Sequence, residues 1–295
     1  MDNLELLGEA VNRLKDQYLP LIKSRQTFLL TLTGIAGYLC QRPFPLDWMR
    51  FIGLVGSLLV TISGCTILNM VLDRDIDRKM TRTRHRPSAA EQFDARQAAF
   101  WGGALIALGL LWALALSTLY CLLALIGCSL NVLVYTLWLK RRSAWSILVG
   151  GLSGGIPILA GRVLVVTRID VAGLLLGLVI VFWIPSHNLT LDMLYSADYI
   201  NAGIPTFINV YGLAVTRAAV AFSSILTAIL MVAAAGCLNL PLAVLVIFSA
   251  GGLGWIGLAF YTWVHSSQDA VNLLYKCSSF YMLISMLLLS LATLR

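Results

Sequence analysis

Long apolar stretches recur along the whole chain, and short segments rich in polar and charged residues separate them. An α-helix needs about 20 apolar residues to cross a hydrocarbon core roughly 30 Å thick. The pattern predicts nine such helices, over 26–41, 49–72, 97–117, 118–139, 145–165, 171–191, 213–238, 241–264 and 272–293. The predicted fold is therefore an all-α integral membrane bundle, and an odd number of spans places the two termini on opposite sides.

The composition agrees with this fold class. The 295 residues are 59% hydrophobic and only 12% charged, whereas soluble domains carry roughly 25% charged residues. Residues 1–24 mix polar and acidic positions, so we predict an amphipathic cytoplasmic segment instead of a signal peptide, followed by a single transmembrane domain over 25–295. The six cysteines lie in or beside predicted spans without a Cys-x-x-Cys spacing, which suggests neither disulfides nor zinc.

Lys and Arg are distributed unequally between the two sides of the predicted bundle. About 15 of the 21 fall in the N-terminal segment, in 73–96, in 140–142 and at Arg217. Cytoplasmic loops carry such an excess, so this face and the N-terminus are predicted to be cytoplasmic, in a multi-pass protein of the cell membrane. The net charge of +7 then reflects topology and anionic ligands. We expect no nucleic-acid partner, because a basic surface interleaved with aromatic residues is absent from the sequence.

Three oxygen-bearing side chains follow one another at intervals of four residues at the end of the second predicted span: Asn69, Asp73 and Asp77. On a helix this spacing aligns them in one column. Carboxylates stacked in this way repel one another, and Mg²⁺ commonly joins one or two carboxylates to substrate phosphates. Arg82 and Arg86 follow, again four apart, and guanidinium groups bind phosphate through paired hydrogen bonds. The pattern predicts a magnesium-dependent diphosphate site; the alternative is a solvated basic loop with an acidic start.

A second polar cluster lies at the end of the sixth predicted span. Asn188 and Asp192 repeat the four-residue spacing of Asn69 and Asp73, as expected if two helical halves face one cavity. Ionisable residues at membrane depth are functional candidates by default, because insertion of an Asp at a span centre costs about 2.5–3.5 kcal/mol. The cluster also contains His187, Tyr195 and Asp198.

Other candidate side chains lie at the same predicted face of the membrane. Lys23 and Arg25 open the first span, and Lys140 closes the fourth span beside Tyr135. These residues either bind phosphate or anchor the spans at the lipid headgroups. His187 follows Pro185 in an apolar helix. It either polarises an acceptor or acts as a base, or it is a hydrogen-bonded core histidine.

The Asn-x3-Asp-x3-Asp column, followed by Arg82-Thr83 and Arg86-Pro87, resembles the first motif of the intramembrane prenyltransferase (UbiA-type) superfamily. The resemblance implies a helical bundle around a central cavity, with Asp-rich motifs on the cytoplasmic side and an opening toward lipid. It also implies transfer of an isoprenoid chain from a prenyl diphosphate to a hydrophobic acceptor in the bilayer. The implied reaction uses Mg²⁺, passes through an allylic carbocation and releases diphosphate.

The amino-acid sequence of residues 18–210 resembles, in more detail, that of the protoheme IX farnesyltransferase subfamily. The shared motifs are Asp73–Asp77, Tyr135-Thr136, Leu139–Arg141, Trp183–His187, Asp198-Tyr199 and Ala202–Pro205. Asn188, Asp192 and the 206–209 segment depart from that subfamily and are more reminiscent of quinone- or lipid-making relatives. The candidate acceptors are therefore protoheme IX, aromatic or quinone precursors and glycerophospholipid precursors, and the candidate donors are farnesyl, geranyl and geranylgeranyl diphosphate.

The spacing and the resemblance together assign roles to these residues. The expected catalytic residues are Asp73, Asp77, Asp192, Asp198 and His187, and the expected magnesium ligands are Asp73, Asp77, Asn69, Asp192 and Asp198. The expected substrate-binding residues are Asn69, Lys23, Arg25, Arg82, Arg86, Tyr135, Lys140, Asn188 and Tyr195. A polytopic transporter is the rival class. Its polar groups would lie near mid-span, whereas these clusters lie at span ends.

Overall fold

The computed structural model describes residues 22–41, 45–86, 94–265 and 267–292, which form helices and turns without a β-strand. In chain order the helices are α1 (Ser24–Leu39), α2 (Trp48–Leu72), α3 (Arg74–Lys79), α4 (Ala95–Leu116), α5 (Thr118–Leu139), α6 (Ser146–Val166), α7 (Val171–Leu194), α8 (Ser196–Asn201), α9 (Phe207–Cys237), α10 (Leu242–Val264) and α11 (Gln268–Ala292). The last part of α5, Leu130–Leu139, is π-helical.

Eight of these helices are long and apolar enough to cross a membrane: α2, α4, α5, α6, α7, α9, α10 and α11. The all-helical membrane fold is therefore confirmed. Helix α1 takes the place of the first predicted span, but its 16 residues are fewer than the roughly 20 that a full crossing needs. The count of nine spans stays a prediction. Residues 1–21 of the predicted N-terminal segment lie outside the described part of the chain.

Local chemistry at the helix ends explains several of the observed boundaries. Three helices begin after an aspartate whose side chain accepts a backbone N–H of the first turn, which satisfies a donor that has no partner inside the helix. These pairs are Asp47 with Arg50, Asp94 with Arg96, and Asp170 with Gly173. Ser117 is extended, with φ −169° and ψ 134°, and it separates α4 from α5. The closely spaced third and fourth predicted spans are thus two helices.

Helix α9 begins six residues before the predicted span 213–238. Gly212 interrupts the helix with φ 79° and ψ 173°, a conformation that L-residues other than glycine rarely adopt. The regular part of α9 therefore starts after Gly212, where the apolar pattern placed the start of the span.

The eight candidate spans and α1 pack in a closed order around the bundle. Successive neighbours are α1, α2, α4, α5, α6, α7, α9, α10 and α11, and α11 packs back on α1. The outer surface is apolar, with exposed Phe100, Trp138, Phe222 and Phe280, as a protein surrounded by lipid requires. The ends of α2, α5 and α7 that carry the two polar clusters come together at one end of this bundle.

Helices α1 and α6 approach closely enough to exclude any side chain at their crossing. A Cβ atom on Gly161 would lie 2.0 Å from the carbonyl oxygen of Gly34, and a Cβ atom on Gly37 would lie 1.9 Å from that of Ile158. Small residues at helix crossings allow such backbone contact in membrane proteins. The crossing fixes the position of α1, whose first residue follows Lys23 of the site.

Candidate active site

The first polar cluster lies where α2 passes into α3. Asp73 interrupts the helix with φ −93° and ψ 3°, but the i→i−4 hydrogen bonds continue across it. The N–H of Asp73 donates to the carbonyl of Asn69 at 3.0 Å, and the N–H of Asp77 donates to the carbonyl of Asp73 at 2.8 Å. Asn69, Asp73 and Asp77 are all buried. They form a column along one side of the chain, as their spacing predicted.

Asn69 is held by residues from two other elements. Its Nδ2 donates to Thr136 Oγ1 at 2.8 Å, and its Oδ1 accepts from Lys23 Nζ. Thr136 Oγ1 in turn donates to the carbonyl of Asn131 at 2.8 Å, five residues earlier in the π-helical part of α5. Removal of water around Lys23, together with the charges of Arg86 and Lys140, lowers the pKa of its ammonium group to about 7.

Asp73 is only 2% exposed, and its two carboxylate oxygens have different surroundings. Lys140 Nζ lies 2.5 Å from Oδ2. Oδ1 is buried and has no hydrogen-bond partner among the residues that the structure describes. A buried charged oxygen without a partner is costly, and this one belongs to a residue whose other oxygen contacts Lys140. A ligand or cation at this position would complete its contacts.

Asp77 and Asp75 are held by different arginines. Arg86 Nη1 donates to both carboxylate oxygens of the buried Asp77 at 3.0 Å. Asp75, which is exposed, receives paired hydrogen bonds of 2.7 Å from Arg141, and this pairing lowers the pKa of its carboxyl group. Arg141 also donates to the carbonyl of Leu72. Asp75 thus pins the end of α5 to the end of α2, away from the column.

The end of α7 brings the second cluster to the same place. Asp192 accepts a hydrogen bond from Tyr199 and lies within electrostatic range of Lys140 and Arg82. Tyr135 lies within electrostatic range of both Asp73 and Asp192, and its ring is 6.0 Å from the Lys140 ammonium. Burial and the charge of Asp192 raise the pKa of Tyr199 to about 12. Lys140 and Tyr135 therefore join the two predicted clusters into one site.

Asp198 links α8 to the loop after α3. Its Oδ2 accepts from the backbone N–H of Arg82 at 3.1 Å, and Thr81 also donates to it. Desolvation alone would raise the pKa of Asp198, but the hydrogen bonds from this loop lower it below the usual range. The Arg82 guanidinium lies 5.3 Å from the centre of the Tyr195 ring. In this structure Asp198 contacts backbone, so it orients the arginine loop.

His187 lies in the wall between α7 and α11. Its ring is stacked between Trp183, 4.8 Å away, and Tyr275, 4.5 Å away. Nδ1 is 2.8 Å from Ser278 Oγ. Since the Ser278 hydroxyl donates to the carbonyl of Tyr275, it accepts the hydrogen of Nδ1. The neutral ring therefore carries its lone pair on Nε2.

Arg25 and Asn188 are the least connected of the predicted site residues. Arg25 is exposed and Asn188 is half-buried, and neither side chain hydrogen-bonds to another residue within the described ranges. Both remain accessible to a ligand. Tyr195 is 39% exposed, so it is open on the side away from Arg82.

A small apolar cavity of about 60 Å³ adjoins the column. It lies between α1, α2, α5 and α6, one turn from Asn69 toward the middle of the bundle. Its walls are mainly aliphatic, with a few small polar groups, and comprise Gln26, Leu30, Leu58, Thr61, Ile62, Cys65, Thr66, Ala124, Gly127, Cys128, Asn131, Ser153, Ile156, Pro157 and Ala160. The site thus combines a charged end with an apolar recess.

The donor set of the charged end fits magnesium better than zinc. Within the described ranges, no three His, Cys, Asp or Glu side chains come together as a metal site. Mg²⁺ does not need such a cage, because it keeps waters and binds through one or two carboxylates plus substrate phosphates. The unpartnered Oδ1 of Asp73 and the neighbouring amide oxygen of Asn69 are ligands of the required type.

The structure adds three residues that the sequence pattern did not assign. Thr136 orients Asn69, Tyr199 hydrogen-bonds Asp192, and Arg141 pairs with Asp75. All three belong to the text shared with the prenyltransferase subfamily, which was the available signal. Their roles depend on contacts between helices, which local spacing does not specify.

Comparison with known proteins supports the resemblance. A model of the UbiA prenyltransferase family matches residues 29–287. A protoheme IX farnesyltransferase of Thermofilum pendens is 39% identical over 194 residues, which cover 66% of this chain and 68% of that protein. A second one, from Archaeoglobus fulgidus, is 36% identical over 222 residues, which cover 75% of this chain and 77% of that protein.

Solved structures share the fold at low identity. A digeranylgeranylglyceryl phosphate synthase superposes with a TM-score of 0.80 at 18% identity, over 96% of this chain and 99% of that one. A UbiA homologue from Archaeoglobus fulgidus, bound to DMAPP and Mg²⁺, superposes with a TM-score of 0.73 at 15% identity, over 94% of this chain and all of that one. The whole helical bundle is therefore common to these proteins.

Proposed function

The chain belongs to the UbiA prenyltransferase family and is a multi-pass membrane prenyltransferase, and from this premise we propose that it transfers a farnesyl chain from farnesyl diphosphate to protoheme IX. The observation that carries the proposal is the convergence of both polar clusters on Lys140 and Tyr135 beside an apolar cavity. The names of the relatives, which are protoheme IX farnesyltransferases, support the choice of acceptor and donor.

Asp73 and Asn69 would hold Mg²⁺ through Oδ1 and the amide oxygen, with Asp77 and Asp192 completing the acidic walls. The ion supplies charge neutralisation on the diphosphate when it is bound. Lys140 and Arg86, which pair with Asp73 and Asp77 in this structure, keep the carboxylates compensated without a ligand. The magnesium-bound and DMAPP-bound structure of a UbiA homologue supports this arrangement.

The cations of the site bind the diphosphate. Lys23, Lys140 and Arg86 border the column, and Arg82 approaches from the loop that Asp198 holds. Lys140, Arg86 and Arg82 are held in place before the substrate arrives, and such preorganised charge stabilises a leaving diphosphate as its bond to the allylic carbon breaks. Lys23, whose pKa is lowered to about 7, becomes fully charged when the negative diphosphate binds beside it. Arg25 is free to close over the outer phosphate.

The apolar cavity binds the isoprenoid chain. Its volume of about 60 Å³ is below the roughly 300–1,000 Å³ of a typical small-molecule site, so it takes up only part of the chain. Aliphatic walls exclude water, which would otherwise capture the allylic carbocation. The acceptor attacks the cation from the side of α7. His187, whose Nε2 carries a lone pair, and the accessible Asn188 orient the acceptor or receive its proton.

The site belongs on the cytoplasmic side of the cell membrane. The basic loops that surround it, 73–96 and 140–142, hold 10 of the 21 Lys and Arg residues of the chain, and positive loops face the cytoplasm. With this orientation the N-terminus is cytoplasmic. Residues 25–295 then form one transmembrane domain, preceded by the amphipathic cytoplasmic segment 1–24.

The test is a transfer assay with purified protein in liposomes and radiolabelled farnesyl diphosphate. Protoheme IX is offered beside an aromatic acid, a quinone precursor and a glycerophospholipid precursor, with Mg²⁺ or with EDTA. We expect prenylated protoheme IX and no product in EDTA. Transfer to another acceptor instead would identify that compound as the substrate in place of protoheme IX. Full activity in EDTA would exclude a requirement for Mg²⁺. Geranyl and geranylgeranyl diphosphate, run in parallel, establish the chain length.

A further inference from the structure

Helices α2 and α5 run side by side in the same direction and are joined at three levels by side-chain contacts. The contacts join Ser57 to Tyr120 at 2.8 Å, Cys65 to Cys128 at 3.3 Å, and Asn69 to Thr136 at 2.8 Å. The outer two are hydrogen bonds between buried polar groups, which hold the two helices in register on both sides of the cysteines.

The middle contact is a pair of thiols. The Sγ atoms of Cys65 and Cys128 lie 3.3 Å apart, and both are free in this structure. Both side chains line the apolar cavity. Cys65 is buried, whereas Cys128 is partly exposed, so an apolar molecule reaches the pair at Cys128.

We propose that Cys65 and Cys128 form an oxidation site that a lipid-soluble two-electron oxidant of the quinone class converts to a disulfide. Two S–H bonds break and one S–S bond forms. The two protons and two electrons pass to the quinone, which becomes the quinol. A disulfide has a sulfur separation of about 2.05 Å, so the sulfurs need to approach by little more than 1 Å while the flanking contacts hold the helices.

The disulfide changes the shape of the cavity. It ties α2 to α5 at the wall where Cys65 and Cys128 face the empty volume, and it removes the freedom of α5 to move outward. This consequence rests on the proposed function, in which the cavity holds the isoprenoid chain. The oxidised protein then loses turnover with farnesyl diphosphate, and a thiol reductant restores it.

The experiment uses the full chain in liposomes, treated with a short-chain benzoquinone. Peptide mass spectrometry without reduction reads the Cys65–Cys128 link, and transfer is assayed before oxidation, after it and after dithiothreitol. For Cys65→Ser and for Cys128→Ser, turnover after oxidation is compared with turnover of the same variant before oxidation. This is needed because both residues line the cavity, so either substitution alone can change turnover. Cys237→Ser, which removes an exposed thiol elsewhere, is the matched control.

We expect the link and a reversible loss of turnover in the parent protein and in Cys237→Ser, and neither change in the other two variants. Absence of the link under an oxidant that modifies Cys237 overturns the proposal. Formation of the link with unchanged turnover overturns its effect on the cavity. If the reduced parent transfers no prenyl group at all, the proposed function fails, while the mass measurement still decides the thiol chemistry.

Discussion

Asp73 is the buried carboxylate of the site whose two oxygens have different surroundings. One carboxylate oxygen contacts Lys140, and the other is buried without a partner among the described residues. Asp75, two positions later, is exposed and is satisfied by Arg141. Adjacent carboxylates thus differ because the helical turn points one of them into the bundle and the other along its end.

Replacement of Asp73 by Asn should lower turnover by about 100-fold or more, because it removes charge from a group that would ligate the metal. Binding of Mg²⁺ in the presence of prenyl diphosphate should weaken in parallel, as measured by titration calorimetry. Asp75→Asn is the matched control, since it leaves the buried column intact and should keep most of the activity. Equal losses in both variants would show that general electrostatics, and not a ligand at Asp73, governs the site.

Thr136 should behave as a positioning residue for Asn69. Its hydroxyl accepts from Asn69 Nδ2 and donates to the carbonyl of Asn131, so the amide oxygen is turned toward Lys23 and the column. Thr136→Val keeps the shape but removes both bonds. We expect the Mg²⁺ concentration for half-maximal turnover to rise about 10-fold, with thermal stability of the folded protein changed far less.

Thr136→Ser keeps a hydroxyl at this position and should return the Mg²⁺ concentration for half-maximal turnover to the value of the parent protein. A serine variant that is as impaired as the valine variant would mean that the methyl group, and hence packing, carries the effect. The comparison separates orientation of Asn69 from simple loss of volume.

At the scale of elements, the crossing of α1 and α6 depends on glycine. Gly161→Ala would bring a Cβ atom to 2.0 Å from the carbonyl oxygen of Gly34, so the helices must separate. Overpacking of this kind typically costs about 1–3 kcal/mol. We expect a lower melting temperature in detergent, measured by tryptophan fluorescence, and weaker substrate binding because α1 also positions Lys23.

Gly103→Ala provides the control for helix propensity. No atom lies within 4 Å of a Cβ built at Gly103, so alanine there is expected to leave the melting temperature unchanged or slightly raised. If Gly161→Ala were equally harmless, the α1–α6 contact would have to be looser than the structure places it.

The helices themselves could largely be predicted, because a membrane span needs a long apolar run whatever it packs against. The predicted spans 118–139, 145–165 and 241–264 agree with α5, α6 and α10 within a residue or so. The π-helical end of α5 and the short helices α3 and α8 were not predicted. Their formation depends on interhelical hydrogen bonds such as Asn69–Thr136 and on the linkage of Arg82 to Asp198.

The part of the site that depends on local spacing could also be predicted, whereas the contacts between helices could not. A spacing of four residues places Asn69, Asp73 and Asp77 on one side of a helix in any context, and the structure keeps them together. Which partner each acquires is a property of the fold. Asp198 illustrates the difference, because its position beside a span end predicted a metal ligand, which stays a prediction, but could not indicate that its carboxylate accepts from the backbone of a loop more than 100 residues earlier.

At the scale of the whole molecule, charge is divided between the two ends of the bundle. The catalytic end carries the clustered Asp, Lys and Arg residues. The opposite end has one buried ion pair, in which Arg162 of α6 donates to Asp170 before α7, at 2.5 and 2.7 Å, and to Cys40 after α1. Arg162 of α6 therefore connects the residue before α7 with the residue after α1, at the end of the bundle opposite the catalytic site.

Replacement of Asp170 by Ala should destabilise the protein by about 3 kcal/mol, because it leaves the buried Arg162 guanidinium without its carboxylate. The free energy of unfolding can be followed by denaturant titration in mixed micelles. Asp47→Ala is the control at the same end, since it also removes a helix N-cap but only a half-exposed pair with Arg50, so it should cost about 1 kcal/mol. Turnover at the distant site should survive in both variants wherever they remain folded.

The pH dependence of this pair has a definite sign. The hydrogen bonds from Arg162 lower the pKa of Asp170 in the folded protein below its ordinary value of 3.8. An unfolded chain therefore binds a proton at higher pH than the folded one, so the stabilisation is fully present above that ordinary value and is lost as the pH falls through the folded pKa. The difference in unfolding free energy between the parent protein and Asp170→Asn should be constant from about pH 8 to about pH 5 and should shrink below about pH 4. If the two proteins were equally stable at neutral pH, Asp170 would act as a neutral cap of α7 through its bond to the N–H of Gly173, which an Asn oxygen also provides, and not through its charge.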